Sequence, residues 1–211
     1  MSGPAASEAR VGPVSPIATE APGAPARRWR RSWYWYDWAN SAFVTTTGTV
    51  LFGPYLTAVA TEDACPGLAE DATCGTDLRV LGVPVDPGSV AAYTVTVATI
   101  VSAILLVFVG ALADRSPRPA RLLGGFAWTG ALAAALMVLV TGSAWELGAI
   151  LMIVATVALG ASLVVYDALL CRIAHPDDRD AVSSRGWALG YLGGGLLLVA
   201  NLALVSLTPF G

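Results

Sequence analysis

Apolar residues gather in five long stretches, residues 38–60, 89–113, 122–141, 147–170 and 186–207, with short polar breaks between them. Each is roughly 20–25 residues long, which as a helix spans a hydrocarbon core about 30 Å thick. None alternates apolar with polar as a barrel strand would, and none keeps its apolar residues to one stripe as a surface helix would. The pattern predicts an all-α fold, a polytopic bundle of five transmembrane helices over residues 36–207. Residues 1–35 are rich in Pro and Ala without apolar periodicity and are expected to form a disordered tail ending in a basic and aromatic run. Residues 61–88 form the one long polar connection, an outer loop.

Composition agrees with a membrane protein: 55% of residues are hydrophobic, 13% are charged, and mean hydropathy is +0.65. All 12 basic residues are Arg. Their placement sets an orientation, because only Arg79 falls in the outer loop while the others flank the opposite ends of the spans. By the positive-inside rule the amino terminus is cytoplasmic. The net charge of −3 gives no basic field for nucleic acid, and the run Arg27–Tyr36 reads as an interfacial belt. One His and three Cys are too few for a His-built metal centre or a haem relay, so no metal and no cofactor are implied. Cys65 and Cys74 lie in the outer loop on the oxidising side, where they form either a stapling disulfide or two free thiols. Cys171, at the inner end of the fourth span, is expected to stay reduced. Arg30-Arg31-Ser32-Trp33 and Ala58-Val59-Ala60 resemble parts of an export signal, but the apolar stretch between them is too long and too polar for a signal core.

Polar residues inside the spans carry the candidate chemistry. Asp37, Asn40 and Ser41 are spaced i, i+3 and i+4, which predicts one helix face presenting a carboxylate, an amide and a hydroxyl. They either cap the helix and bond to neighbouring spans or line a translocation path. Gly53-Pro54 predicts a kink further along. In the fourth span, Tyr166 and Asp167 are further path candidates. Asp167 either pairs with a cytoplasmic arginine such as Arg172 or serves as a proton-coupling carboxylate. Gly186, Gly190 and Gly194 recur every four residues and predict a smooth helix-packing groove. A phosphate cradle is excluded there, since no Gly-Lys-Ser/Thr follows. Asp114 stands at a helix carboxyl end, where the macrodipole disfavours an anion, so it is expected to find a compensating cation or helix amino end. His175 reads as a solvated loop residue. No span offers a catalytic His-Asp pair, a Ser-His arrangement or a two-metal carboxylate cluster, so no enzyme is expected.

Two motifs carry a resemblance. Gly110, Asp114, Arg115 and Arg118 resemble the loop between helices two and three of the major facilitator superfamily, with Pro117 and Pro119 departing from its pattern. Tyr36-Asp37-Trp38-Ala39-Asn40-Ser41-Ala42-Phe43 and the segment Ser183–Gly195 are similar to the vacuole-effluxer, autophagy-related protein 22-like branch of that superfamily, over residues 33–201. In fungi that branch exports amino acids from the vacuole. The branch usually has Asn where Asp167 stands.

The resemblance implies a secondary active transporter of a small solute, with amino acids as the candidate class. Substrate would sit between two six-helix halves, and Asp114, Arg115 and Arg118 would latch a cytoplasmic gate against the second half. Five spans correspond to an incomplete amino-terminal half, so a missing carboxy-terminal half is an expected partner, beside the lipid bilayer. A non-transporting scaffold or accessory subunit is the alternative. Multi-pass insertion in a bacterial cell membrane is the expected location.

Overall fold

The computed structural model describes residues 24–69 and 72–207. Helix α1 (Ala24–Ala42) runs through a π-helix (Phe43–Leu51) into α2 (Phe52–Ala64), making one long rod. Then come a two-stranded hairpin, β1 (Leu78–Val80) and β2 (Val83–Val85), and helices α3 (Val90–Arg115), α4 (Pro119–Leu136), α5 (Trp145–Ile173) and α6 (Arg179–Leu207). Five helical segments are long and apolar enough to cross a membrane: Arg27–Ala64, Pro87–Arg115, Pro119–Leu139, Trp145–Ile173 and Pro176–Leu207.

The helices outrun the apolar stretches at several ends. Residues 24–35, expected in a disordered tail, are helical from Ala24; residues 1–23 lie outside the described residues. Tertiary contact explains the difference. Arg30 donates through Nε to the Ile173 carbonyl at 2.9 Å and pairs with Asp178 at 3.1 Å, which ties the start of α1 to the end of α5 and the turn beyond it. Similarly, α6 starts at Arg179 rather than near 186, opened by a 3₁₀ turn at Pro176–Asp178.

The irregularity occupies Phe43–Leu51, just ahead of Gly53-Pro54 in the same continuous rod, where Pro54 withholds an N–H from the preceding turn. There the bonding steps out to five residues: the Phe52 N–H reaches the Thr47 carbonyl, and the Thr49 hydroxyl donates to the Val44 carbonyl at 2.8 Å.

Helix α5 is the central post, with α3 and α4 packed on it, while α1 packs along α6. Close approach needs small side chains: a Cβ at Gly130 of α4 would lie 3.4 Å from Ala158 Cβ of α5. Two buried clusters result. One, at the hairpin end, joins Phe52, Leu56, Ala60, Val90, Val140, Trp145 and Met152, with Leu78 of the hairpin folded onto it. The other, at the arginine-rich end, joins Trp33, Tyr166, Ala174 and Val182. Phe108, Trp128, Val138 and Tyr191 are exposed, as residues facing lipid are.

The connection between α2 and α3 is more ordered than a polar loop would suggest. Cys65 and Cys74 form a disulfide. Beyond it the hairpin pairs Leu78 with Val85 and Val80 with Val83 across a two-residue turn. Both turn residues, Leu81 (φ 52°) and Gly82 (φ 86°), are left-handed, as a type I′ turn requires. Asp63 accepts the Trp145 indole N–H at 3.0 Å, and Tyr55 donates to the Val140 carbonyl at 2.5 Å.

Candidate functional site

The glycines of α6 form a groove, and α1 fills it. Gly186, Gly190, Gly193 and Gly194 are buried, and each has a side chain of the first span against its Cα: Trp33 at Gly186, Asp37 and Ser41 at Gly190, Trp38 at Gly193, and Thr45 at Gly194. A Cβ added at Gly190 would stand 2.5 Å from Asp37 Oδ2 and 2.7 Å from Ser41 Oγ. The fourfold spacing seen in the sequence thus serves close packing. What packs is partly polar: a carboxylate and two hydroxyls face a backbone stripe inside the bundle.

Helix α5 closes the third side. The Tyr166 ring stacks on Trp33 at 4.1 Å with planes 8° apart, and the Trp33 indole donates to the Tyr166 carbonyl at 3.0 Å. The same phenol oxygen would lie 3.3 Å from a Cβ at Gly186, one helical turn from the Asp37 contact. Tyr166 is buried, and its hydroxyl has no hydrogen-bond partner among the described residues. Asp37, half-buried, has no hydrogen bond or ion pair among them either. Leaving such groups unpaired costs free energy, so a seam that keeps two of them is suited to a polar visitor.

Asn40 does not join this face. From Asp37, three residues along a helix turn the side chain about 60° one way and four turn it about 40° the other. Helix α6 takes the Ser41 side, and Asn40 lines a separate cleft of about 400 Å³ between α1, α4 and α5. Tyr36, Phe43, Phe126 and Ser162 share its wall. There Tyr36 donates to Ser162 Oγ at 2.7 Å, and the Ser162 hydroxyl donates in turn to the Leu159 carbonyl at 2.7 Å. Ser162 was invisible to the sequence reading, because one serine in an apolar run carries no spacing signal. Fully buried and hydrogen-bonded to α1, it shows its place only in the folded bundle.

Other expected partnerships are absent. Asp167 is exposed and makes no ion pair among the described residues, so it is not neutralised by Arg172. Arg172 instead lines another cleft with Trp29, Arg118 and Arg121. Asp114, in the last turn of α3, is exposed and makes no ion pair among the described residues. Arg115 is likewise exposed, and Arg118 caps α4, its backbone N–H bonded to Ser116 Oγ at 3.3 Å. The departure at Pro119 has a structural use, since it opens α4 at a position that tolerates proline. His175 pairs with Asp177 at 3.3 Å on the surface. Among the described residues no group of three or more metal-ligating side chains comes together.

Known proteins resemble this chain in sequence. An uncharacterised MFS-type transporter of Bacillus subtilis, YxiO, is 26% identical over 83% of this chain and 37% of its own length. Autophagy-related protein 22 of Gibberella zeae is 29% identical over 74% of this chain and 26% of its own. Autophagy-related protein 22-1 of Phaeosphaeria nodorum is 35% identical over 48% and 19%. The chain therefore spans about a third or less of these relatives' lengths. No solved structure matches it. The family described as vacuole effluxer Atg22 like matches residues 26–209, and this multi-pass membrane protein belongs to it.

Proposed function

We propose that the chain forms part of a secondary transporter that carries a small solute, with amino acids as the substrate class. One observation carries the reading. Inside an otherwise apolar bundle, the Asp37 carboxylate and the Tyr166 phenol lie at the α1–α5–α6 seam, beside Ser41, with no hydrogen-bond or ion-pair partner among the described residues. An amino acid zwitterion asks for such a set. Its ammonium needs an anionic acceptor, which Asp37 supplies, and its carboxylate needs hydroxyl donors, which Tyr166 and Ser41 supply. Asn40, in the neighbouring cleft, and Asp167, beside Tyr166 in sequence, are proposed as further polar positions along the path.

Asp114, Arg115 and Arg118 are proposed as gate residues at the arginine-rich end, read as cytoplasmic, of a protein in a bacterial cell membrane. A second helical bundle is proposed to complete the path, in keeping with relatives about three times as long as the stretch they share with this chain.

The test is solute flux in proteoliposomes holding the full-length transporter that contains this chain. Asp37→Asn is expected to abolish amino acid flux while leaving the protein folded. Undiminished flux in the variant would remove Asp37 from the path. No flux of any amino acid by the unaltered transporter would favour a scaffold role instead.

A further inference from the structure

A second polar cluster lies at the arginine-rich end, away from the glycine groove. A cleft of about 450 Å³ opens between the start of α1, the α3–α4 turn and the end of α5. Three arginines, Arg118, Arg121 and Arg172, line it beside Trp29, with Pro119 and Ile173 in a mostly apolar wall. No carboxylate lines it, and none of the three arginines makes an ion pair among the described residues. Of the nearby acids, Asp178 holds Arg30 and Asp177 holds His175, while Asp114 and Asp167 are exposed and do not line the cleft.

Three like charges gathered in one cavity repel one another unless an anion sits among them. Guanidinium forks match phosphate oxygens two at a time, and an indole at this level suits the boundary between headgroup and acyl chain. The amino end of α4 is not the source of the attraction, since the backbone N–H groups of Arg121 and Leu122 turn back to the Arg118 carbonyl. The cleft lies at the ends of spanning helices, and basic pockets between such helices hold anionic lipids. We propose that this cleft binds the phosphate of an anionic phospholipid headgroup, with Arg118, Arg121 and Arg172 as its ligands and Trp29 against the glycerol and upper acyl region. The site stands on the cleft alone and holds whether or not the transport reading does.

The test uses the 211-residue chain in a zwitterionic detergent, titrated with phosphatidylglycerol or phosphatidylcholine and read by native mass spectrometry. One phosphatidylglycerol is expected to be retained at a concentration at least about tenfold below that needed for phosphatidylcholine. Each arginine replaced by glutamine should weaken retention about fivefold, so R118Q/R121Q/R172Q should show no preference. The control R27Q/R28Q/R31Q, which removes three exposed arginines outside the cleft, should keep it. Circular dichroism checks that each variant stays helical; if the triple variant does not, R172Q alone is read for its fivefold loss. Equal retention of the two lipids by the unaltered chain overturns the proposal, as does an unchanged preference in the triple variant or an equal loss in the control. Displacement of phosphatidylglycerol by inorganic phosphate at similar concentration would assign the cleft to free phosphate and overturn the lipid assignment.

Discussion

Asp37 of α1 and Gly190 of α6 share one contact: the carboxylate occupies the space where any larger residue at position 190 would place its Cβ, 2.5 Å from Oδ2. The polar seam and the helix packing are therefore one arrangement. Gly190→Ala should push α1 off α6 and cost about 1–3 kcal/mol, as overpacking does. The comparison is Gly195→Ala, where nothing lies within 4 Å and stability should hold or rise slightly. Thermal unfolding of both variants in the same detergent decides, and equal melting temperatures would mean the contact is slack.

At the stacked pair, the two aromatic residues should behave differently. The Trp33 indole N–H is bonded to the Tyr166 carbonyl, so Trp33→Phe should lose about 0.5–1.5 kcal/mol from that bond. The Tyr166 hydroxyl has no partner to lose among the described residues, so Tyr166→Phe should be as stable as the parent or more so. If the zwitterion reading holds, that stable variant is the one to show weakened solute binding. A strongly destabilised Tyr166→Phe would point to a hidden partner.

The anchor between α1 and α5 predicts unequal effects from its two ends. Arg30 serves both a backbone carbonyl and a carboxylate and is only 17% exposed, whereas Asp178 is 52% exposed. Asp178→Asn should cost less than about 1 kcal/mol, as surface pairs do. Arg30→Gln should cost more, because the Ile173 carbonyl also loses its donor. Proteolysis near the start of α1 gives the readout: faster cutting in Arg30→Gln than in Asp178→Asn is expected.

Reduction of the Cys65–Cys74 disulfide should loosen the loop and leave the bundle intact. The bridge closes a short segment, nine residues in sequence separation, worth about 2–3 kcal/mol in the chain-entropy account. Cys65 and Cys74 should take up maleimide only after reduction, with hydrogen exchange rising over the loop and little elsewhere. Labelling without reductant would contradict the bridge.

Asp114 has no ion pair to lose among the described residues, so Asp114→Asn should leave the melting temperature of this chain unchanged. As a gate residue it should slow flux in the full-length transporter at equal expression. Normal flux removes the gate assignment, and a large drop in stability would show that the carboxylate is engaged within this bundle.

The spans were legible in the sequence because lipid demands a solvent-sized apolar length, and five such lengths leave little else to form. The glycine groove was legible too, since a four-residue repeat of the smallest residue has one simple mechanical use. The limits come from tertiary contact. The start of α1 looked like tail because its order depends on Ile173 and Asp178, about 145 residues away. Asp37, Asn40 and Ser41 are close enough in angle to pass for one face, and only the position of α6 separates Asn40 from the others. Asp114 was expected to find a cation or a helix amino end, and Asp167 either a cytoplasmic arginine or a proton-coupling role; neither makes an ion pair among the described residues.

The π-helical stretch Phe43–Leu51 divides the first span into two parts whose faces are set independently. Above it, Phe52, Leu56 and Val59 are keyed to the cluster at the hairpin end; below it, Trp33, Asp37 and Ser41 are keyed to the α6 groove. A continuous α-helix links every face along its length at about 100° per residue, so satisfying one end dictates the other. Wider turns take up the mismatch, as an expansion joint does in a rail. The register of this span is thus stored in the count of residues between Ala42 and Phe52. Losing a single residue there would leave every side chain chemically intact while turning the polar seam about 100° away from its groove.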